Sequence, residues 1–158
     1  MVYFLIKVLL GGKMKLIFKF ISIMLFLLIS TIFSLQAGAK VEGNTIILGA
    51  AVSLTGKYST NGEHTKNGYE LGKDTINEAG GVTVGGKQYN LDIIYYDDES
   101  DKGRAAELAE RLINQDGVKY MLGPYSSGLT KAIAPVTEKY KIPMVEANGA
   151  SRSLFTQG

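Results

Sequence analysis

Val118-Lys-Tyr-Met-Leu-Gly-Pro-Tyr-Ser-Ser-Gly128, followed at once by the helix-like segment Leu129 to Tyr140, decides how this chain is read. The apolar run Val118 to Leu122 predicts a buried strand, and Gly123-Pro124 ends it. The chain then turns through Tyr125, Ser126 and Ser127 into a helix. Such a turn presents unpaired backbone N–H groups and two hydroxyls at a helix N-terminus, a setting that suits a carboxylate. The pattern recurs nearby: Ile142-Pro-Met-Val145 reads as a strand, and Gly149-Ala-Ser151 turns out of it ahead of Leu154-Phe155. Two such turns at one edge of a sheet would form a site.

Working outward, strand and helix patterns alternate. Thr45 to Leu54 is apolar apart from Thr45 and Ser53, as a strand covered on both faces should be. Thr55 to Asn61 reads as a loop. Gly68, Leu71, Gly72, Thr75, Ile76 and Ala79 recur every three or four residues and predict the buried face of a helix that ends at Gly80-Gly81. Val82 to Lys87 predicts a small hairpin around Gly85-Gly86, and Tyr89 to Tyr96 a second main strand. Ala105, Leu108, Ala109, Leu112 and Ile113 mark the face of the next helix, which stops at Gly117. In the helix after the serines, Leu129, Ile133, Val136 and Tyr140 share a face, and Pro135 is expected to kink or restart it. A further helix is expected near Ser153.

A β-α-β-α-β-α-β order predicts an α/β fold: a parallel sheet with right-handed crossovers and helices on both faces. Ligands of such sheets sit beyond the strand carboxyl ends, where strand order reverses. With order 2-1-3-4 that point lies between the first and third strands. There the loop Thr55 to Asn61, which carries Tyr58, would face Tyr125 to Ser127.

The first 39 residues are of another kind. Lys13, Lys15 and Lys19 precede an uncharged apolar run from Phe20 to Leu35, and Ala37-Gly38-Ala39 supplies the small residues of a cleavage site. Residues 1–39 therefore read as a secretory signal peptide cut after Ala39, with Met14 a better natural start than Met1. An uncleaved anchor is the alternative, although the run falls short of the about 20 residues of a membrane span. The 17 basic and 15 acidic residues give +2 overall. Lys7, Lys13, Lys15 and Lys19 lie in the leader, so residues 40–158 carry 13 basic against 15 acidic residues, a charge of −2. Nothing basic remains to favour nucleic acid. The absence of cysteine excludes disulfides, thiolate metal sites and lipid attachment to a cysteine. The expectation is an exported periplasmic or extracellular domain.

Several motifs are near misses. Gly81 to Gln88 approximates a phosphate-binding P-loop, but it follows a helix and opens a strand, the reverse of what a P-loop needs. Ser126 lacks the preceding glycine of a nucleophile elbow, and His64, the sole histidine, sits in a polar segment, so a secreted α/β hydrolase is a weak reading. Asp97, Asp98, Glu99 and Asp101 lack the glycines and spacing of a calcium loop and read better as carboxylates at a helix start. No metal, cofactor or catalytic residue is expected. Tyr125 fits either ligand stacking or a place at the core edge.

Taken together, Gly49-Ala-Ala-Val-Ser-Leu-Thr-Gly56, Asn77-Glu-Ala-Gly-Gly81, Tyr95-Tyr-Asp-Asp98, Gly123-Pro-Tyr-Ser-Ser127 and Ile142-Pro-Met-Val145 with Gly149-Ala-Ser151 form an ordered set. The set resembles the leucine/isoleucine/valine-type substrate-binding proteins of amino-acid ABC transporters, within the type I periplasmic binding proteins, from about Gly43 onward.

The resemblance implies a bilobed protein that closes on one amino acid or related small polar molecule and delivers it to a membrane permease. Residues 40–158 would be its N-terminal lobe, truncated. An extracellular sensor domain of the same fold is the alternative. The resemblance also implies that Ser127 and Ser151 bind the substrate carboxylate, helped by backbone near Ser126 and Gly149, with Ala150 beside them. Tyr58 and Tyr125 complete the candidate ligand-binding set. Glu146-Ala147-Asn148 departs from the shorter, proline-containing turn of that family.

Overall fold

A computed structural model describes residues 39–156. Of the leader expected over residues 1–39, with its start at Met14, all but Ala39 lies outside the described residues. Among the described residues no helix is long and apolar enough to cross a membrane.

Strands β1 (Val41–Glu42) and β2 (Thr45–Val52) pair antiparallel. β3 (Val82–Val84) folds back on the start of β4 (Lys87–Asp97) through Gly85 and Gly86. Both turn glycines have positive φ, +57° and +79°, as a two-residue hairpin turn requires. The expected hairpin is therefore present, and its second strand runs on without interruption as the second main strand. β4 pairs parallel with β2 from Thr45 opposite Asn90 to Val52 opposite Asp97. On the other side of β2 lie β5 (Met121–Leu122) and then β6 (Met144–Val145), both parallel. The order β3-β4-β2-β5-β6 contains the expected 2-1-3-4 arrangement. The third strand is shorter than its apolar run: Val118 is fully buried but reaches the core from the turn after Gly117, whose φ is +72°.

Helices α2 (Lys102–Asn114) and α3 (Ser127–Tyr140) cover one face. Ala105, Leu108, Ala109, Leu112 and Ile113 are all buried there with Leu129 and Ile133, against Ile47, Ala51 and Met121. Each fully buried Leu or Ile contributes about 1.5–3 kcal/mol. Gly49 lies under this layer, where a Cβ would come within 2.9 Å of Val118 Cγ2. α3 runs through Pro135 without a break. Pro135 and Lys131 are both exposed, so the carbonyl deprived of its N–H partner lies on the solvent side.

Helix α1 (Ser59–Glu78) lies alone on the other face. It begins within the segment expected to be a loop, and its buried residues are Gly62 and Thr65 rather than the predicted stripe. Leu71 is 69% exposed, and Gly68, Gly72, Thr75, Ile76 and Ala79 are exposed as well. Two polar and backbone contacts set this orientation. A Cβ on Gly62 would overlap the Ser53 carbonyl. Farther along, Asn77 Nδ2 donates to Leu91 O at 2.9 Å and Asn77 Oδ1 accepts from Leu91 N at 2.8 Å, docking the helix onto β4. Gly68, Gly72 and Ile76 instead border a groove over Leu48, Ile93 and Leu122. The segment expected to open a helix near Ser153 is a 3₁₀ turn, Arg152–Leu154.

Candidate functional site

The carboxyl ends of β2, β4, β5 and β6 are organised by four loops. Asp97, the last residue of β4, is the hub of the first pair. Its Oδ1 accepts from the N–H groups of Leu54 (2.9 Å), Thr55 (3.1 Å) and Glu99 (2.9 Å), and its Oδ2 from Thr55 Oγ1 (2.7 Å). Burial opposes the charge, but the Glu99, Thr55 and Leu54 donors hold the carboxyl below the ordinary aspartate range. Ser100 Oγ adds a second tie, accepting from Tyr58 N at 3.0 Å and donating to Thr55 O at 2.8 Å. Glu99 and Ser100 both take positive φ, 55° and 61°, which reverses the chain tightly toward α2.

The acidic run thus divides its work, and the reading of it as helix-start carboxylates is corrected. Only Asp101 caps α2, accepting from Arg104 N at 2.8 Å. Asp98 is 0% exposed and turns inward, its Oδ1 accepting from Ser53 Oγ at 2.6 Å and Ser100 N at 2.8 Å. Burial pushes its carboxyl up, against those two hydrogen bonds.

The clip places Tyr58, the N-cap residue of α1, edge-on against Tyr125 with ring centroids 5.6 Å apart. Lys57 Nζ lies 4.6 Å from the Tyr58 ring centroid. The first and third strand-end loops therefore meet at the switch point, as the strand order implied.

At the start of α3, Ser126 takes φ +85°, an unfavourable conformation for a residue with a side chain. It caps the helix: Ser126 Oγ accepts from Leu129 N at 3.3 Å, and Ser126 O from Thr130 N at 3.1 Å. The N–H groups of Ser127 and Gly128 belong to the first turn and have no intrahelical acceptor. Ser127 Oγ accepts from Ser151 N at 3.0 Å, which joins the turn after β5 to the turn after β6. Ser151 Oγ lies 2.9 Å from Ser153 Oγ. Lys102, at the start of α2, extends over the same helix end, with Nζ 3.8 Å from where a Cβ on Gly128 would stand.

Glu146, one residue beyond β6, fills the space behind Gly149. Its Oε1 accepts from Asn148 N and Gly149 N, each at 2.5 Å, and its Oε2 from Thr130 Oγ1 at 2.7 Å. The Gly149 N–H that the resemblance assigns to a ligand is thus already engaged by the protein. A side chain at Gly123 would overlap the same carboxylate. Tyr69 of α1 donates to Gly123 O at 2.6 Å, and burial, with the Glu146 charge, raises its phenol to about 12.

Tyr58, Tyr125, Ser126, Ser127 and Ser151 are therefore tied into one neighbourhood, with Gly149 and Ala150 on the adjoining turn. Glu146, Lys102 and Tyr69 were not anticipated. Glu146 alone had a signal, since it stands in the stretch that departs from the family's turn. His64 is exposed on α1. The groove of about 170 Å³ beside α1, lined by Leu48, Leu91, Ile93, Leu122, Tyr69 and Ile76, lies along the sheet rather than at the strand ends.

The described residues thus form a mainly parallel sheet wrapped by helices, with polar loops gathered at its switch point. Residues 45–156 match the family described as Periplasmic binding protein, and the chain belongs to that family. It is 26% identical over 131 residues to the Leu/Ile/Val-binding protein BraC3 of Rhizobium johnstonii, a match covering 83% of this chain and 34% of that protein. Among solved structures it is similar to the branched-chain amino acid transporter substrate-binding protein LivJ of Streptococcus pneumoniae in complex with isoleucine. That match has a TM-score of 0.64 and 28% identity, over 71% of this chain and 31% of that one. A solute-binding protein of an ABC transporter from Rhodopseudomonas palustris, in complex with 3,4-dihydroxybenzoic acid, matches with a TM-score of 0.61 and 26% identity, over 72% and 30% of the two chains. The fold is that of a type I periplasmic binding protein lobe, and the chain spans about a third of the length of the relatives it matches.

Proposed function

We propose that this chain forms one lobe of the extracytoplasmic substrate-binding component of an ABC transporter, with an amino acid as ligand and a membrane permease as partner. The hydrogen bond from Ser151 N to Ser127 Oγ carries the reading, because it brings the two strand-end turns together at the first turn of α3. The ligand carboxylate is received by the Ser127 and Gly128 N–H groups and the Ser127 and Ser151 hydroxyls, beside Ala150 and the Tyr58–Tyr125 pair. The work is binding and release, not catalysis.

One wall leaves half of a ligand in water, where its hydrogen bonds are screened. Amide chemical-shift titration of the full chain with L-leucine is expected to show binding no tighter than millimolar, with the shifts centred on Ser127 to Thr130 and Gly149 to Ser151. Micromolar binding, or shifts confined to the groove beside α1, would overturn the reading.

A further inference from the structure

We infer that Asn148-Gly149 is a self-modifying site, at which the Glu146 carboxylate acts as general base in the deamidation of Asn148. Residues 40–158 contain three Asn-Gly pairs: Asn61-Gly62, Asn67-Gly68 and Asn148-Gly149. A glycine after an asparagine leaves the following backbone nitrogen unobstructed by a side chain, so that nitrogen can approach the asparagine's own Cγ. The backbone around the three pairs separates them.

Asn61 and Asn67 lie inside α1, where the N–H of the next residue points along the helix to a carbonyl one turn back and away from the asparagine side chain. Gly62 N accordingly donates to Tyr58 O at 2.8 Å. Asn148 lies outside helix and strand, and its turn is arranged differently. Gly149 N donates to Glu146 Oε1 at 2.5 Å, within the reach a general base needs of the proton it removes. The Asn148 N–H and the Thr130 hydroxyl donate to the same carboxylate and hold it there. Asn148 Nδ2 donates to Thr65 Oγ1 at 3.3 Å, which fixes the side-chain amide by the nitrogen that must leave. A hydrogen bond to a neutral acceptor would only restrain the Gly149 amide; a carboxylate can also take its proton.

Glu146 Oε1 removes the Gly149 N–H proton as Gly149 N attacks Asn148 Cγ. The tetrahedral carbon collapses by breaking its bond to Nδ2, which departs as ammonia with the proton that Glu146 had taken, and a five-membered succinimide ring remains. One water molecule opens that ring at either carbonyl and leaves aspartate or isoaspartate at position 148. Nothing is oxidised or reduced: an amide and water become an acid and ammonia. Either product adds a negative charge beside Glu146, and isoaspartate also lengthens the main chain ahead of Ser151, whose N–H joins the two turns at Ser127.

The full chain is incubated folded in neutral buffer and, separately, unfolded in guanidinium chloride. Peptide mass mapping then follows the amide-to-acid conversion at each Asn-Gly pair, with the aspartyl and isoaspartyl peptides resolved by chromatography. Asn148 should convert at least about tenfold faster in the folded chain than in the unfolded one, just below the range of a well-placed general base. Asn61 and Asn67 should convert more slowly folded than unfolded. Glu146→Gln keeps an oxygen to accept the two N–H groups but removes the base, and should bring folded Asn148 down to the unfolded rate or below it. Folded Asn148 that converts no faster than unfolded Asn148 would make Glu146 a clamp on the turn and overturn the inference, a comparison that needs no variant. Equal rates in the folded native and Glu146→Gln chains would overturn it too.

Discussion

Ser127 Oγ receives the backbone N–H of Ser151 at 3.0 Å, so the hydroxyl's own hydrogen remains available to donate while its position is fixed from the neighbouring turn. One side chain thus orders two loops and offers a directed donor beside the open amides of α3. Ser127→Ala removes both effects. In a two-lobed protein that encloses the ligand, as the proposed function requires, it should weaken ligand binding by about 1.5 to 3 kcal/mol, the range for a hydrogen bond to a charged group, and leave the fold intact. Titration with the tightest ligand, alongside a thermal melt, checks this; unchanged affinity would place the ligand elsewhere.

Gly62 tests how α1 is seated. A Cβ at this position meets the backbone carbonyl of Ser53, which cannot swing aside as a side chain would. Gly62→Ala should cost about 3 kcal/mol despite alanine's better helix propensity. The equivalent change at exposed Gly68 or Gly72, where nothing lies within 4 Å, should stabilise by about 0.5–1 kcal/mol. Urea denaturation of the three variants separates the outcomes.

Asp98 should make stability depend on pH. Its folded pKa is raised above the ordinary 3.8 because burial disfavours the charged form. Between those two values the folded chain binds more protons than the unfolded one, so this residue's contribution to stability falls as pH rises through the window. Asp98→Asn cannot ionise and should flatten that part of the profile, which melting temperatures from pH 4 upward will show. Affinity should be nearly unchanged, because Asp98 is fully buried and its carboxylate is held by Ser53 and Ser100.

Export is tested at the N-terminus. If Ala37-Gly38-Ala39 is a cleavage site, secreted protein begins at Lys40, and a bulky residue in place of Ala39 leaves the precursor uncut. N-terminal sequencing of secreted and membrane-bound material decides between cleavage and anchoring.

The legibility of the sequence differs from element to element for physical reasons. α2 was readable residue by residue, since Ala105 to Ile113 follows an apolar period and burial against the sheet is what such a stripe records. The 2-1-3-4 order was one arrangement open to a parallel sheet, and given that order the loop Thr55 to Asn61 was expected to face Tyr125 to Ser127, as the Tyr58–Tyr125 contact now has it. The face of α1 was misread because contacts that leave no hydrophobic pattern seat it: a glycine against a carbonyl, and an asparagine amide paired with a strand backbone. The separate duties of Asp97, Asp98 and Asp101 were equally hidden. The partners of the first two, in the Ser53 to Thr55 loop, are 42 to 45 residues away in sequence, and the choice among adjacent carboxylates is made only once two loops meet. Glu146 was visible as a departure from a familiar turn, but its role depends on Thr130, a turn deep in another helix.

Leu54, Thr55 and Glu99 all direct their N–H groups to a single oxygen of Asp97, and Thr55 closes the other with its hydroxyl. The loop after β2 and the loop after β4 therefore have no independent freedom: a displacement of one drags the other through a shared atom. Tyr58 rides on this joint. Whatever reaches the aromatic pair from solvent thus meets a surface whose two borders yield together or not at all.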